Sequence, residues 1–306
     1  MYYSYDGLEW FLSAKGMTKT SLAAELGISS KTMAKMSRGE KIADHVLKRI
    51  ADYFSCSVTE LCAEKTNNFL LQTLRDEKDA KISGGLYHEL QVRMTYNSNH
   101  IEGSKLSEDQ TRLIFETRTI NATGGVPVDD IIETVNHFRA IDYVIDVAED
   151  ELTEEIIKEL HRILKQGTAD ASLSWFAVGD YKRFANEVGG SVTTKPDQVA
   201  KELRQLLKQY NADSAKTLED IIEFHYMFEK IHPFQDGNGR VGRLIMFKEC
   251  LRNGITPFII EDYIKEFYYR GLKEWKNERG YLIDTCLTAQ DRFKAYMDYF
   301  QLEYQD

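Results

Sequence analysis

The sequence of 306 residues contains few prolines, few cysteines and no long hydrophobic run. A membrane-spanning helix needs roughly 18 or more consecutive apolar residues, and no stretch comes near that length. The N-terminus has no leading basic run of the kind that opens a secretory signal, so we expect neither a signal nor a membrane span. The four cysteines are scattered and lack the spacing of a zinc knuckle. They indicate the reduced, mostly structural thiols of a cytoplasmic protein: Cys56, Cys62, Cys250 and Cys286.

The charge and apolar content describe an ordinary globular chain that is long enough for two domains. The net charge of −10 argues against a protein that coats nucleic acid over its whole surface. Residues 1–62 nevertheless carry a slight excess of basic side chains, and the acidic excess lies in the remainder. This asymmetry suggests a small basic head on an acidic body.

Apolar residues recur at spacings of three and four, the period of helices with one buried face. The clearest stripes lie within residues 22–26, 46–54, 156–164 and 221–231. Together with the scarcity of proline, they predict a mainly α-helical protein. Residues 184–194 differ, because Gly189 and Gly190 supply the positive φ angles of a tight hairpin turn between two short runs. We predict an isolated β-hairpin there, which needs support because two strands alone are marginally stable.

Residues 18–39 have the pattern of two short helices joined by a tight turn. Gly27 can take the left-handed conformation that ends the first helix, and Ser29 is a good N-cap for the second. The second helix would present polar and basic groups suited to phosphates and base edges: Ser30, Lys31, Thr32 and Lys35. The segment resembles a Cro/repressor-type helix-turn-helix as far as about Leu61. We predict DNA binding through residues 18–39, with a helical packing motif that binds no DNA as the alternative.

The strongest signal is the segment from Ile231 to Arg243, which reads IHPFQDGNGRVGR. The helix before it must end ahead of Pro233, because proline pushes the preceding residue out of helical geometry. The glycines of the GNG turn allow a ligand to approach the backbone closely. A second helix then runs to about Asn253, and its first amides and its dipole form an anion site.

Charged side chains around this turn suit a nucleotide. Arg240 and Arg243 lie three residues apart on one helical face, where two guanidinium groups can grip adjacent phosphates. Asp236 is a hard oxygen ligand of the kind that holds Mg²⁺ beside phosphate oxygens. His232, at the other edge of the turn, is the usual type of group for accepting a proton from a hydroxyl. A structural loop, or a turn that binds another anion, is the alternative.

The run from His232 to Arg243 resembles the Fic family signature, HPFx(D/E)GNGRxxR, at all nine specified positions. The resemblance extends from about Lys81 to the C-terminus. It implies a Fic-type helical core that moves AMP from ATP to a Ser, Thr or Tyr hydroxyl of a target protein. In that scheme His232 is the general base, Asp236 binds Mg²⁺, and Phe234 anchors the loop. The remaining signature residues would bind the phosphates: Gly237, Asn238, Gly239, Arg240 and Arg243.

The same resemblance implies how the target and the adenosine are held. Residues 186–194 would form a flap over the site that pairs with an extended segment of the target, strand to strand. Tyr269, in the run at 267–270, would line the adenosine side, although an aromatic residue at this position could equally belong to the core. A plain surface hairpin is the alternative for the flap.

The run Ser98-Asn-His-Ile-Glu102-Gly103 matches the family's inhibitory motif, (S/T)xxxE(G/N). Ser98 and Glu102 are four residues apart and therefore share one helical face. The resemblance implies that Glu102 forms a salt bridge with Arg243. Because a γ-phosphate also needs Arg243, the glutamate would inhibit the enzyme.

The sequence thus predicts a helix-turn-helix domain at 1–64, a linker and inhibitory-helix region at 65–130, and a catalytic core at 131–306. We expect a cytoplasmic protein adenylyltransferase that is autoinhibited by Glu102. A homodimer is compatible with reading two DNA half-sites. Two alternatives stay open: the same site could remove AMP from a modified protein, or the chain could be a transcriptional regulator whose body senses a ligand without turnover.

Overall fold

The computed structural model describes residues 2–65, 68–122 and 124–302. It divides the chain into two compact units, Met1–Asn68 and Phe69–Asp306. The helices that follow residue 68 belong to the second unit, including those in the segment predicted as a linker and inhibitory region. The functional boundary at residue 130 stays a prediction.

The first unit is a small helical bundle closed by a pair of antiparallel strands. Apolar residues from all five of its helices form one core, in which Leu22 and Ile50 are fully buried. Its helices are α1 (Asp6–Ala14), α2 (Lys19–Leu26), α3 (Ser30–Ser37), α4 (Asp44–Phe54) and α5 (Val58–Leu61), and its strands are β1 (Tyr2–Ser4) and β2 (Ala63–Lys65).

The local signals in this unit act as the sequence predicts. Gly27 ends α2 in the left-handed region, at φ 59°. The Ser29 side chain then caps α3 by accepting a hydrogen bond from the Thr32 amide. Two short helices therefore meet at a tight turn, with Ile28 buried between them.

The second unit is also mainly helical, which confirms the predicted fold class. Its helices are α6 (Phe69–Ala80), α7 (Leu86–Ile101), α8 (Glu108–Thr117), α9 (Val128–Asp146), α10 (Glu154–Lys165), α11 (Pro196–Tyr210), α12 (Leu218–Ile231), α13 (Asn238–Arg252), α14 (Lys265–Glu274) and α15 (Gly280–Tyr299). The predicted hairpin is present as β3 (Glu187–Val188) and β4 (Ser191–Val192), and Gly189 and Gly190 turn it at φ 56° and 77°.

Helix α13 is the central element of this unit. It contacts α7, α9, α10 and α12, and almost every side chain from Asn238 to Leu251 is buried. A helix that is buried all round must still present its first amides somewhere, because those groups have no partner within the helix. The segment 232–239, called the glycine turn from here on, lies at that end, so the buried helix gives it a rigid support.

The far half of α13 contains a fully buried ion pair. Lys248 Nζ lies 2.8 Å from Glu249 Oε1 and also donates to the carbonyl oxygen of Asp150. Glu249 Oε2 accepts a hydrogen bond of 3.0 Å from the Tyr210 hydroxyl. Both charges are thus matched inside the core.

No helix in the described ranges is long and apolar enough to cross a membrane. All four cysteines are unpaired, and three of them are buried.

Replacing Lys248 with methionine should destabilise the second unit by about 3 kcal/mol, because the buried Glu249 carboxylate loses its closer cation and keeps only Arg252, at 3.8 Å. The double variant Lys248→Met/Glu249→Gln should recover most of that loss, since the amide can still accept from Tyr210. Urea unfolding followed by circular dichroism measures both. A single variant as stable as the double variant would contradict this account.

Candidate functional site

The backbone of the glycine turn is shaped by two residues in the left-handed region. Helix α12 ends at Ile231, and His232 caps it at φ 51° and ψ 64°. A residue with a side chain rarely adopts this conformation, and such residues cluster at functional sites. Gly237, at φ 81°, then starts α13. His232 and Gly237 thus stand at the two ends of the six-residue loop that joins α12 to α13.

The inside of the turn is locked by Phe234 and Asn238. Phe234 is fully buried, as predicted, and its ring stacks on His161 with centroids 4.0 Å apart. Its amide donates to Asn238 Oδ1 at 2.8 Å, and Asn238 Nδ2 donates back to the Phe234 carbonyl at 2.9 Å. The Asn238 side chain thus closes the loop. Its backbone amide, at the start of α13, is the group of this residue that an anion could contact.

His232 is held in its neutral form. Burial, and then the charge of Lys182, lower the pKa of its imidazole to about 4. The Glu229 carboxyl lies 3.8 Å from His232 Nδ1. Burial and the nearby Glu102 charge raise the pKa of Glu229 to about 8. At neutral pH both groups are largely uncharged, so the contact is polar rather than ionic, and the imidazole can accept a proton.

Arg243 contacts both residues of the predicted inhibitory motif. Its Nη2 lies 2.7 Å from Glu102 Oε1 and donates to the Ser98 carbonyl at 2.9 Å, while its Nε donates to Ser98 Oγ at 3.1 Å. The Arg243 side chain is only 4% exposed, and the Glu102 charge raises its pKa further. The expected salt bridge is therefore present in the structure.

The Glu102 carboxylate also lies directly over the start of α13. A Cβ atom on Gly239 would collide with its Oε1. Gly103, at φ 99°, turns the chain away immediately after it. The carboxylate thus fills the space beside the first amides of the helix, where an anion would be attracted.

Asp236 and Arg240 belong to a second ionic cluster. Asp236 Oδ2 lies 2.7 Å from Lys165 Nζ and 3.4 Å from Arg240 Nη2. Glu133 on α9 receives both cations, with a two-pronged contact to Arg240 and a distance of 2.6 Å to Lys165. The neighbouring cations lower the pKa of Asp236 to about 2, against the opposing effect of burial. Its carboxylate is therefore ionised at all ordinary pH values.

The hairpin rests on the glycine turn, which supplies the support that two strands need. Lys182 is buried, and its Nζ donates to Asn186 Oδ1 at 2.7 Å and to Thr193 Oγ1 at 2.6 Å, one residue on each side of the hairpin. Asn186 Nδ2 in turn donates to the Phe234 carbonyl at 3.1 Å.

Comparison with known proteins agrees with this geometry. Residues 151–250 match the Fic/DOC family, and residues 8–65 match the Cro/C1-type HTH DNA-binding domain. The second unit carries a Fic/DOC family domain. The helix-turn-helix prediction for the first unit is likewise confirmed at the level of the domain.

Curated relatives share the Fic domain. The protein adenylyltransferase Fic of Drosophila yakuba is 32% identical over 216 residues, which is 66% of this chain and 42% of that protein. Its counterpart in Drosophila erecta is 33% identical over 183 residues, or 58% of this chain and 36% of that protein. The chain thus spans less than half the length of these relatives.

Solved structures share the fold. A Fic domain containing signalling protein from Bacteroides thetaiotaomicron has a TM-score of 0.60 at 22% identity, covering 77% of this chain and 98% of that one. Fic-1 (residues 134–508) from C. elegans also has a TM-score of 0.60 at 22% identity, with 76% and 72% covered. At this identity the likeness concerns the fold alone.

The remaining predicted residues lie at the surface of their units. Tyr269 is 43% exposed in the Fic domain, and its hydroxyl donates to the Ile101 carbonyl at 3.3 Å, next to Glu102. In the first unit Ser30 and Lys31 are exposed, whereas Thr32 and Lys35 are half-buried on α3.

Four residues of the site were not predicted from the sequence: Glu133, Lys165, Lys182 and Glu229. Each acts through a partner on the glycine turn, and for Glu133 and Lys165 that partner is about 70 to 107 residues away along the chain. An ordinary charged residue on a helix carries no local sign of such a contact. Glu229 is the exception, since it lies three residues before His232 on the same helix.

The His232 imidazole should stay neutral through the physiological range. Its folded pKa of about 4 lies below the ordinary 6.5, so protonation favours the unfolded chain as the pH falls from 6.5 towards 4. We expect the His232 Cε1–H resonance, assigned by its loss in His232→Gln, to stay constant from about pH 8 to 5.5 and to shift only near pH 4. A midpoint between pH 6 and 7 would be inconsistent with this geometry.

Proposed function

We propose that the second unit transfers AMP from ATP to a Ser, Thr or Tyr hydroxyl of a protein. The observation that carries the proposal is a neutral imidazole, His232, in the short loop that leads into α13, the helix whose Arg243 guanidinium is paired with Glu102. The name protein adenylyltransferase, borne by the Drosophila relatives, supports the same reaction. Since the chain covers less than half of those proteins, the proposal rests mainly on the chemistry of the site.

His232 would be the general base. The target oxygen attacks the α-phosphorus of ATP, its proton passes to the imidazole, and the bond to the pyrophosphate oxygen breaks. The low pKa of His232 keeps the ring unprotonated before attack. Its left-handed backbone fixes the ring at the edge of the turn, so the base does not have to be brought into place during the reaction.

The phosphates would be bound at the start of α13. The backbone amides of Gly237, Asn238 and Gly239 supply donors, and the helix dipole favours negative charge there. Arg243 would reach the outer phosphates once Glu102 leaves it. Arg240, held by two oxygens of Glu133, would act from a fixed position.

Asp236 fits the role of a Mg²⁺ ligand. Its carboxylate is ionised, and its side chain is 49% exposed, so one face remains open although Lys165 holds Oδ2. No group of three acidic, histidine or cysteine ligands occurs in the described part of the chain. Mg²⁺ is commonly held by one carboxylate together with substrate phosphates, which suits this arrangement. When bound, the ion would neutralise charge on the phosphate oxygens.

Glu102 would be the inhibitory residue. Its carboxylate is paired with Arg243 and lies over Gly239, so it competes with a phosphate both for the guanidinium and for space. Ser98 would hold the same guanidinium through its hydroxyl and its carbonyl and keep it in the inhibited position. Gly103 would allow the chain to turn behind the glutamate.

The hairpin at 186–194 would receive the target. Its two strands have no further strand beside them among the described residues, so an extended segment can pair with an edge. Tyr269 would line the adenosine side, consistent with its exposed ring next to Glu102. Sensing without turnover is less favoured, because a sensor needs no neutral base at this position, and the name of the Drosophila relatives favours transfer of AMP over its removal.

The first unit would bind DNA through α3. Ser30, Lys31, Thr32 and Lys35 lie on the second helix of the helix-turn-helix, which is the helix that enters the major groove in domains of this type. A dimer would be needed to read two half-sites, and homodimerisation and a cytoplasmic location remain predictions.

Glu102→Gly should raise self-labelling by ATP that carries its label in the α-phosphate. We expect an increase of about 5- to 150-fold, the range of a coupling of about 1–3 kcal/mol. The double variant Glu102→Gly/His232→Ala should lose labelling, and Glu151→Gly, in an exposed loop, should label like the unaltered chain. Equal labelling of Glu102→Gly and the unaltered chain would refute the inhibitory role. Retained labelling in the double variant would refute the base.

Lys31→Ala/Lys35→Ala should weaken binding to mixed-sequence duplex DNA. The slope of log K against log salt is negative, and each lost phosphate contact makes it shallower by about 1. We therefore expect the slope of the double variant to be shallower by about 2. Lys48→Ala, which changes an exposed lysine on α4, is the control and should keep the slope. Fluorescence anisotropy across a salt series measures this. An unchanged slope in the double variant would place the DNA contact elsewhere.

A further inference from the structure

Lys182 is a buried cation with no carboxylate in direct contact. It is 3% exposed, no ion pair of its ammonium occurs in the described part of the chain, and Glu202 lies only near enough to raise its pKa against the effect of burial. Its hydrogen bonds go to neutral oxygens instead: Asn186 Oδ1, Thr193 Oγ1 and the Ile231 carbonyl at 3.4 Å. Burying an ammonium in this way is unfavourable, and burial accordingly lowers the pKa of Lys182 to about 8. The cost of burying this ammonium indicates that it has a specific structural role.

The three acceptors show what the ammonium joins. Asn186 precedes the first strand of the hairpin and Thr193 follows the second, so two of the bonds close the hairpin at its base. The third goes to the last residue of α12, directly before His232. A lysine has three donors, and here two are directed to the base of the hairpin and the third to the end of α12.

The backbone reinforces the same junction. The Lys182 amide donates to the Pro233 carbonyl at 2.9 Å. Asn186 Nδ2 bonds the Phe234 carbonyl, and the Phe184 amide reaches Gln235 Oε1 at 3.3 Å. The hairpin is therefore tied to consecutive residues of the turn, and Lys182 lies at the centre of these bonds.

We propose that Lys182 is a positioning residue that fixes the hairpin, and with it the acceptor hydroxyl of the target, relative to His232. This inference rests on the proposed AMP transfer. A target strand paired to the hairpin inherits its position, so the distance from hydroxyl to imidazole is set by the Lys182 junction. The lysine touches neither substrate. The charge of Lys182 has a second effect. Together with burial, it lowers the pKa of His232 and so keeps the imidazole unprotonated.

The test compares four variants of the full chain carrying Glu102→Gly. Lys182→Met removes the donors and the charge, and Lys182→Arg keeps both. Asn186→Ala/Thr193→Val removes the hairpin acceptors, together with the Asn186 bond to the Phe234 carbonyl and the direct Thr193–Asn186 bond, and leaves the charge in place. Lys201→Met makes the same exchange at an exposed site on α11 and is the control.

Three readouts separate the roles. Amide hydrogen exchange of residues 187–194 reports the hairpin, self-labelling with α-labelled ATP reports the transfer, and calorimetry with a non-hydrolysable ATP analogue reports the nucleotide site. For Lys182→Met we expect exchange about tenfold faster. We expect labelling about 10- to 100-fold lower, the effect of misplacing a reactant by about 1 Å. Analogue affinity should stay within about twofold, since none of the proposed phosphate ligands changes.

Lys182→Arg should restore exchange and labelling to within about threefold of the parent, because it keeps the charge and the donors. The Asn186→Ala/Thr193→Val variant should reproduce the faster exchange and slower labelling. In Lys182→Met the pKa of His232 should rise towards its ordinary value, whereas the double variant should leave it low. These outcomes together support the proposal, and Lys201→Met should behave like the parent.

Unchanged exchange and labelling in Lys182→Met would overturn the proposal. An equal loss of analogue affinity would also overturn it, because Lys182 would then serve the nucleotide site. If the Glu102→Gly parent itself transfers no AMP, the proposed function fails. Hydrogen exchange would still decide whether Lys182 ties the hairpin to the turn.

Discussion

The contact between Arg243 and Glu102 is the interaction on which the rest of the site depends. Arg243 lies in the second turn of a helix that is buried on every side, and a buried guanidinium is stable only with an anion beside it. The structure supplies that anion from the end of α7. This ion pair therefore holds the end of α7 against the start of α13 and places the Glu102 carboxylate over the glycine turn.

The same requirement explains the second ionic cluster. Arg240 and Lys165 are also almost completely buried, and Glu133 and Asp236 lie between them. The two clusters thus contain three buried cations facing four carboxylates, since Asp170 also lies 3.3 Å from Lys165. A polyphosphate is the natural competitor for such a set, because it offers several negative oxygens to the same guanidinium groups and amides.

The sequence predicted those parts of the structure that depend on local chemistry. Gly27 and Ser29 identify the turn of the helix-turn-helix, Pro233 and Gly237 the limits of the loop, and Gly189-Gly190 the hairpin. Each acts where it stands: the glycines allow positive φ, proline excludes helical geometry before it, and Ser29 caps a helix. The contact between Glu102 and Arg243 was predicted only through resemblance. The ties of Lys182, Glu133 and Lys165 were not predicted, since side-chain bonds between helices distant in sequence depend on packing that no local pattern records.

The two arginine contacts also differ in how readily they can open. Glu133 lies in the first turns of a 19-residue helix and holds two cations at once, so releasing Arg240 would leave Lys165 short of a partner as well. Glu102 follows the last residue of α7, its side chain is 30% exposed, and a glycine with positive φ comes next. It can swing away by rotating a few bonds at a helix end, without breaking hydrogen bonds inside a helix. The position of Glu102 at a helix end therefore suits a contact that opens, whereas the position of Glu133 inside a helix suits a contact that holds the Arg240 guanidinium in place.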